Sequence, residues 1–212
     1  MEKVNCLGLD WCEACFYNAE ESQKKTDVIK MNQVHSADCL YVTEKISENP
    51  SVDALITDKA GLKLAVKTAD CAPILIADVQ KRLVAAIHAG WKGAFQGVIE
   101  NTILKMIELG GDSQNMVAGI GPHLQVQSFE VSSELCALFP ITERHFFSEE
   151  KGQIHFDFDA YVVHRLRRSG IEIVESVGDD TYSDLKYNSY RRHPENPARQ
   201  LSVIEIKEVL YV

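Results

Sequence analysis

No apolar run comes near the roughly 20 residues needed to span a bilayer. The opening segment, MEKVNCLGLDWCEACFYNAE, has neither the basic start nor the unbroken apolar stretch of a secretory leader. Both absences point to a cytoplasmic protein without a membrane partner. No Lys/Arg run exceeds two residues, and 22 basic against 31 acidic residues leave a formal net charge of -9. That average field repels a phosphate backbone and argues against nucleic acid as a partner. Repeats, low-complexity tracts and composition breaks are also missing, so residues 1–212 read as a single domain.

A disulfide framework is missing as well. Six cysteines stand at positions 6, 12, 15, 39, 71 and 136, and without a leader they read as thiols, metal ligands or small core residues. Cys12 and Cys15 have the spacing of half a zinc knuckle. No second CxxC or nearby histidine completes the tetrahedron, so they read as incidental thiols.

What is present is 45% apolar residues in short runs, enough for a sizeable core. Strands are expected at DVIKM, CLYVT, DALIT, LKLAV, PILIADV, RLVAAIH, MVAGI, IEIVES and LSVIEIK. One long helix is expected over AFQGVIENTILKMIELG, with apolar residues at three- and four-residue steps and Gly110 as its stop. Two more are expected at SSELCALF, opened by a serine cap, and at DFDAYVVHRLRRSG, acidic first and basic last. Strands and helices mix without strict alternation. The fold class is therefore α+β, a mixed β-sheet sandwich with flanking helices, rather than a doubly wound parallel sheet. The polar stretch NAEESQKKTD is expected to fray.

The chemistry gathers around TADCAPILIAD (68–78) and RLVAAIHAGWKG (82–93). If these runs pair as an antiparallel hairpin about DVQKR, Cys71 at the start of one strand lies opposite His88 at the end of the other. His35, in MNQVHSADC between two strand-like runs, can join the same rim only through tertiary folding. Two imidazoles and a thiolate with a fourth position open form the catalytic zinc pattern, in which a coordinated water has its pKa lowered to about 7. His123, after GIGP, reads as a loop histidine.

NQVHSADC, TADCAPILI, AAIHAGWKGAFQGVIENTI, GIGPHLQVQSFEV and NSYRR, in this order across residues 32 to 192, resemble the YfiH family of laccase-domain, or polyphenol oxidase-like, proteins. The ADC and HAGW blocks are the most specific. The resemblance implies that His35, Cys71 and His88 are metal ligands and catalytic residues, for Zn2+ or sometimes Cu2+. It implies phosphorolysis of the purine nucleosides adenosine, inosine and methylthioadenosine, and deamination of adenosine. It also implies a fold shared with the catalytic domains of cytotoxic necrotizing factor toxins, which are cysteine-dependent deamidases. Only 34 residues precede His35, fewer than family members usually carry, and Ser36, Lys92 and Asp180 depart from the common Gly, Arg and Cys.

Phosphorolysis requires an anion seat. The turn GWKG offers backbone N–H groups, Lys92 and the positive end of the following helix. Arg191 and Arg192 offer a second, since a guanidinium fork matches two phosphate oxygens. Three rival functions stand beside the nucleoside enzyme. One is a cysteine hydrolase or deamidase with a Cys71–His88 dyad, and another is a metal- or partner-binding module. The third is copper-dependent phenol oxidation, for which seven scattered histidines are too few to build a multicopper oxidase.

Overall fold

The computed structural model describes residues 1–208. Along the chain come β1 (Cys12–Phe16), the one-turn α1 (Ala19–Ser22), β2 (Cys39–Tyr41), β3 (Ala54–Thr57), β4 (Leu64–Thr68), β5 (Ala72–Asp78) and β6 (Leu83–Ala89). They are followed by α2 (Trp91–Gln96), α3 (Val98–Glu108), β7 (Met116–Ile120), β8 (Glu130–Val131), α4 (Ser133–Leu138), β9 (Phe147–Glu150), β10 (Gln153–Phe156), α5 (Phe158–Arg168), β11 (Ile173–Ser176) and β12 (Gln200–Ile206).

The large sheet has the order β11-β7-β5-β6-β3-β2, and its centre is the antiparallel β5–β6 hairpin. Its outer pairs, β2 with β3 and β11 with β7, are parallel, so the sheet is mixed. Every residue of β5 and β6 is buried, which explains why both strands read as continuous apolar runs. The side-chain period of two sorts those residues into two cores. Ile74, Ile76, Ala85 and Ile87 join Val98, Ile99, Ile103 and Tyr161 of the helices. Leu75, Ala77, Val84 and Ala86 instead pack with Phe16, Leu64, Val66 and Ile204 of a second, antiparallel sheet, β1-β12-β4. A third sheet, β8-β10-β9, adds a small three-stranded antiparallel layer against α5 through stacked Phe147 and Phe156.

This is the expected α+β class, with several sheets and few helices. Details depart from the sequence reading. The expected long helix is two, because Gly97 takes φ 98°, a left-handed conformation that ends α2 and starts α3 at a new angle. DVIKM contributes one bridge, Ile29 to Leu64, in place of a strand. CEACF, read only for its thiols, is β1 and pairs along its whole length with β12. The expected frayed stretch is instead organised by Asn18, which caps α1 in a reciprocal box with Glu21. The cap at Ser132 and the acidic start and basic end of α5 match expectation, and Asp157 additionally caps α5.

Gly121 shows how closely the layers meet. Its N–H donates to the Pro73 carbonyl at 2.9 Å, and a Cβ there would run into the Phe16 ring and stand 2.8 Å from Pro73 Cγ. Gly121→Ala should therefore lower unfolding free energy by about 1–3 kcal/mol, the usual cost of overpacking. Urea denaturation would measure this, and an unchanged midpoint would show that the contact yields freely.

Candidate metal centre

Strand register assembles the site. In the β5–β6 hairpin Ala72 faces Ala89 and Pro73 faces His88. Cys71, one residue before β5, therefore falls opposite Gly90, on the same face as His88 and diagonal to it. In the neighbouring pair Ala54 faces Ile87, so Asp53, one residue before β3, falls opposite His88, whose N–H donates to the Asp53 carbonyl at 2.8 Å. Gly90 leaves the space that the side chains fill. A Cβ there would collide with the His35 imidazole and lie 3.2 Å from Cys71 Sγ.

The fully buried Asp53 carboxylate joins these elements. It accepts from His88 Nδ1 at 2.7 Å and from the backbone N–H groups of Val34, His35 and Ser36 at 3.2, 3.1 and 2.6 Å. The Ser36 hydroxyl donates a fifth bond at 2.9 Å. Three successive amides curled around one carboxylate form an anion nest. The nest holds His35 at φ 58°, a left-handed conformation costing about 1–3 kcal/mol for a residue with a Cβ. Loop 34–36 thus carries His35 to the hairpin, and the His35 and His88 rings meet edge to face, centroids 4.8 Å apart.

His35, Cys71 and His88 each present one donor atom, all within 4.8 Å of one another. Zinc bonds of about 2.0–2.3 Å place donors roughly 3.5 Å apart, so closure onto one ion needs only small side-chain adjustments. Two imidazoles and a sulfur suit zinc or copper better than a hard oxygen-seeking cation. The protonation pattern also fits. Asp53 occupies His88 Nδ1 and leaves Nε2 for the ion, as in the carboxylate–histidine–zinc arrangement. Burial pushes the Asp53 carboxyl up, but the His88 and Ser36 donors outweigh it and hold it at about 2. Burial likewise opposes charge on His88, yet the neighbouring Cys71 and the bond to Asp53 lift it to about 9. His35 is held below the usual histidine value by burial and by the neighbouring His88 charge, which keeps its lone pair available.

The centre opens into a cavity of about 730 Å³. Trp91, Leu124, Phe129 and Phe158 form an apolar wall, and Lys67, Arg191 and Arg199 supply cations. Of the expected anion binders, Arg191 lines this cavity, its guanidinium 5.5 Å from the Phe129 ring and donating to the Ser128 and Glu130 carbonyls. Arg192 is turned into the fold, where it donates to the carbonyls of Thr181, Tyr182 and Tyr187. Lys92 is exposed on α2, outside the cavity lining, and the six-residue α2 is too short to sum a large dipole. His123 is a fully buried histidine, its Nδ1 2.8 Å from the Gly121 carbonyl, and not an open loop residue. Asp53 was hidden in the sequence as the polar start of DALIT. The one signal was a carboxylate opening a strand buried throughout.

Asp53→Asn should weaken zinc binding by about 10–100-fold while the protein stays folded, read by competition with a chelator. Because His88 holds its proton up to about pH 9 in the metal-free protein, it must shed that proton to bind an ion. Zinc uptake at pH 7 should therefore release protons, and affinity should rise with pH toward 9. Calorimetry in buffers of different ionisation enthalpy measures this, and uptake without proton release would remove His88 from the ligand set.

A family profile described as multi-copper polyphenol oxidoreductase laccase matches residues 14–207. The chain is 37% identical over 194 residues to a Rickettsia conorii protein named purine nucleoside phosphorylase, covering 87% of this chain and 80% of that one. It is also 37% identical over 168 residues to a Streptomyces coelicolor protein of the same name, covering 78% and 69%. Among solved structures, a Neisseria meningitidis protein superposes with a TM-score of 0.79 at 30% identity, covering 89% of this chain and 78% of that one. Bacillus licheniformis YfiH has the same fold, with a TM-score of 0.78 at 24% identity, over 85% and 74%. The chain belongs to the multi-copper polyphenol oxidoreductase laccase family, the YfiH-like proteins whose ADC and HAGW blocks it carries.

Proposed function

We propose that residues 1–212 act as one metal-dependent purine nucleoside enzyme, cleaving adenosine, inosine or methylthioadenosine with phosphate and deaminating adenosine. The observation that carries this reading is the convergence of His35, Cys71 and His88 in the lining of a cavity with aromatic walls and cations. The relatives named purine nucleoside phosphorylase support it. A zinc ion held by the three ligands supplies Lewis acidity toward an oxygen of water, phosphate or substrate. Asp53 keeps His88 in one tautomer and His35 in place, so the donor set is organised before substrate arrives. Trp91, Phe129 and Phe158 give a flat purine an apolar surface and exclude water around it. In phosphorolysis a phosphate oxygen forms a bond to C1′ as the glycosidic bond to the base breaks. The cations that line the cavity, Lys67, Arg191 and Arg199, offset the charge brought by that phosphate. Six unpaired thiols fit a reducing cytoplasm.

One observation favours a second reading. Asp53, His88 and Cys71 also form the orienter, base and nucleophile of a cysteine hydrolase, the chemistry of the cytotoxic necrotizing factor deamidases. His35 belongs to the metal reading and has no part in the dyad. Copper-based phenol oxidation is least supported, because among the described residues His35, Cys71 and His88 are the one three-donor cluster and a multicopper centre needs several.

Metal analysis and iodoacetamide labelling separate the readings. Near one zinc per chain with slow labelling of Cys71 supports the first, and a metal-free, fast-reacting thiol supports the second. A nucleoside panel should yield free base only when phosphate is added, and Cys71→Ala should abolish turnover. Absence of base and of inosine from adenosine in the zinc-loaded protein would end the nucleoside reading.

A further inference from the structure

The cavity is an electropositive pocket in an acidic protein. Three cations line it, against the single carboxylate of Asp70. Asp70 accepts from the Thr181 hydroxyl and from the Arg191 N–H, both at 2.7 Å, so much of its charge is met within the fold. With a net charge of -9 overall, such a local excess is what a pocket needs to draw in an anion.

Register places two of the cations together. At the end of β4 and the start of β12, Thr68 pairs with Gln200 and Lys67 with Leu201. Arg199, just ahead of β12, therefore flanks the rim that Lys67 and Thr68 close. Lys67 is held through its backbone alone, its N–H donating to Gln33 Oε1 at 2.8 Å and its carbonyl accepting from Gln33 Nε2 at 2.7 Å. Its ammonium takes no part in the ion pairs that Lys59, Lys63 and Lys186 make among the described residues. Arg199 donates through Nη1 to the Asn196 and Ala198 carbonyls, which orients the guanidinium and leaves Nη2 for a ligand. Side chains alternate along β4, so Lys67 shares the face of Ala65 and Leu201, while the buried Thr68 side chain turns to the other.

We propose that Lys67 and Arg199 form an anion subsite for a phosphate group at the β4–β12 rim, separate from the GWKG turn and from Arg192. Its role in turnover rests on the phosphorolysis reading, but its occupancy does not. The ligand is either inorganic phosphate or the phosphate of a nucleotide, since both present the same oxygens to an ammonium and a guanidinium.

Phosphorus NMR and calorimetric titration of the full-length protein with inorganic phosphate, and separately with adenosine monophosphate, test this without any turnover. Saturable binding is expected, weakened about tenfold or more in Lys67→Met and in Arg199→Gln. Binding should be retained in Lys67→Arg and in Lys92→Met, with unchanged thermal midpoints as the folding control. Binding of free phosphate identifies it as the ligand, and binding of the nucleotide alone identifies a phosphate carried by the base-bearing ligand. No saturable binding of either probe, equal binding in both cation variants, or loss in Lys92→Met instead would overturn the subsite. Phosphate binding in a protein that cleaves no nucleoside would keep the subsite and remove the nucleoside reading.

Discussion

One buried carboxylate organises the centre. Taking Asp53 out of water is costly, and the fold offsets that cost with five donors drawn from a loop, a hydroxyl and an imidazole. Those five bonds tie the loop at 34–36 to the paired ends of β3 and β6. The loop at 34–36 must bend left-handed to reach the carboxylate, and in doing so it presents His35. The imidazole of His88 must turn its Nδ1 inward, and in doing so it presents Nε2. Removing the side chain would leave the amides of the nest without an acceptor and His88 free to rotate, so position and protonation would be lost together.

The space for chemistry comes from what the hairpin lacks. Where Cys71 and Gly90 face each other the strands carry one thiol and no second side chain, and the imidazole of His35 enters through that gap. Asp70 beside it also takes a positive φ, 87°, so the two segments leading into the centre, at His35 and Asp70, are both held away from relaxed backbone. Such conformations persist only where surrounding bonds over-determine them. Here the bonds to Asp53 on one side, and from Thr181 and Arg191 to Asp70 on the other, do so. The same arrangement serves an ion or a nucleophilic sulfur equally well in geometry. What separates the two chemistries is the third ligand, His35, and whether the sulfur is coordinated or free.

Much of the architecture was legible because burial on both faces leaves a plain trace. PILIADV and RLVAAIH could be read as paired strands, and the cap at Ser132 and the acidic first turn of α5 as helix starts, since each signal is local. The split at Gly97 was missed because the apolar period runs on across it, and only the backbone angle reveals the break. β1 was missed because its pattern, CEACF, resembles a ligand motif more than a strand and it pairs with a segment nearly 190 residues away. The third sheet escaped because FSEE and QIHF are short and polar.

The sequence by itself determined the candidate site residues, the thiol and two imidazoles in NQVHSADC, TADC and HAGW, and that two of them end one hairpin. Those facts follow from residue type and from contacts a few residues apart. Tertiary structure decided that His35 joins them, that Asp53 holds both histidines, and which cations face the cavity. Each of those depends on register between strands distant in the chain, where a shift of one residue turns a side chain to the opposite face. No local pattern records that register, because it is set by how the whole core packs.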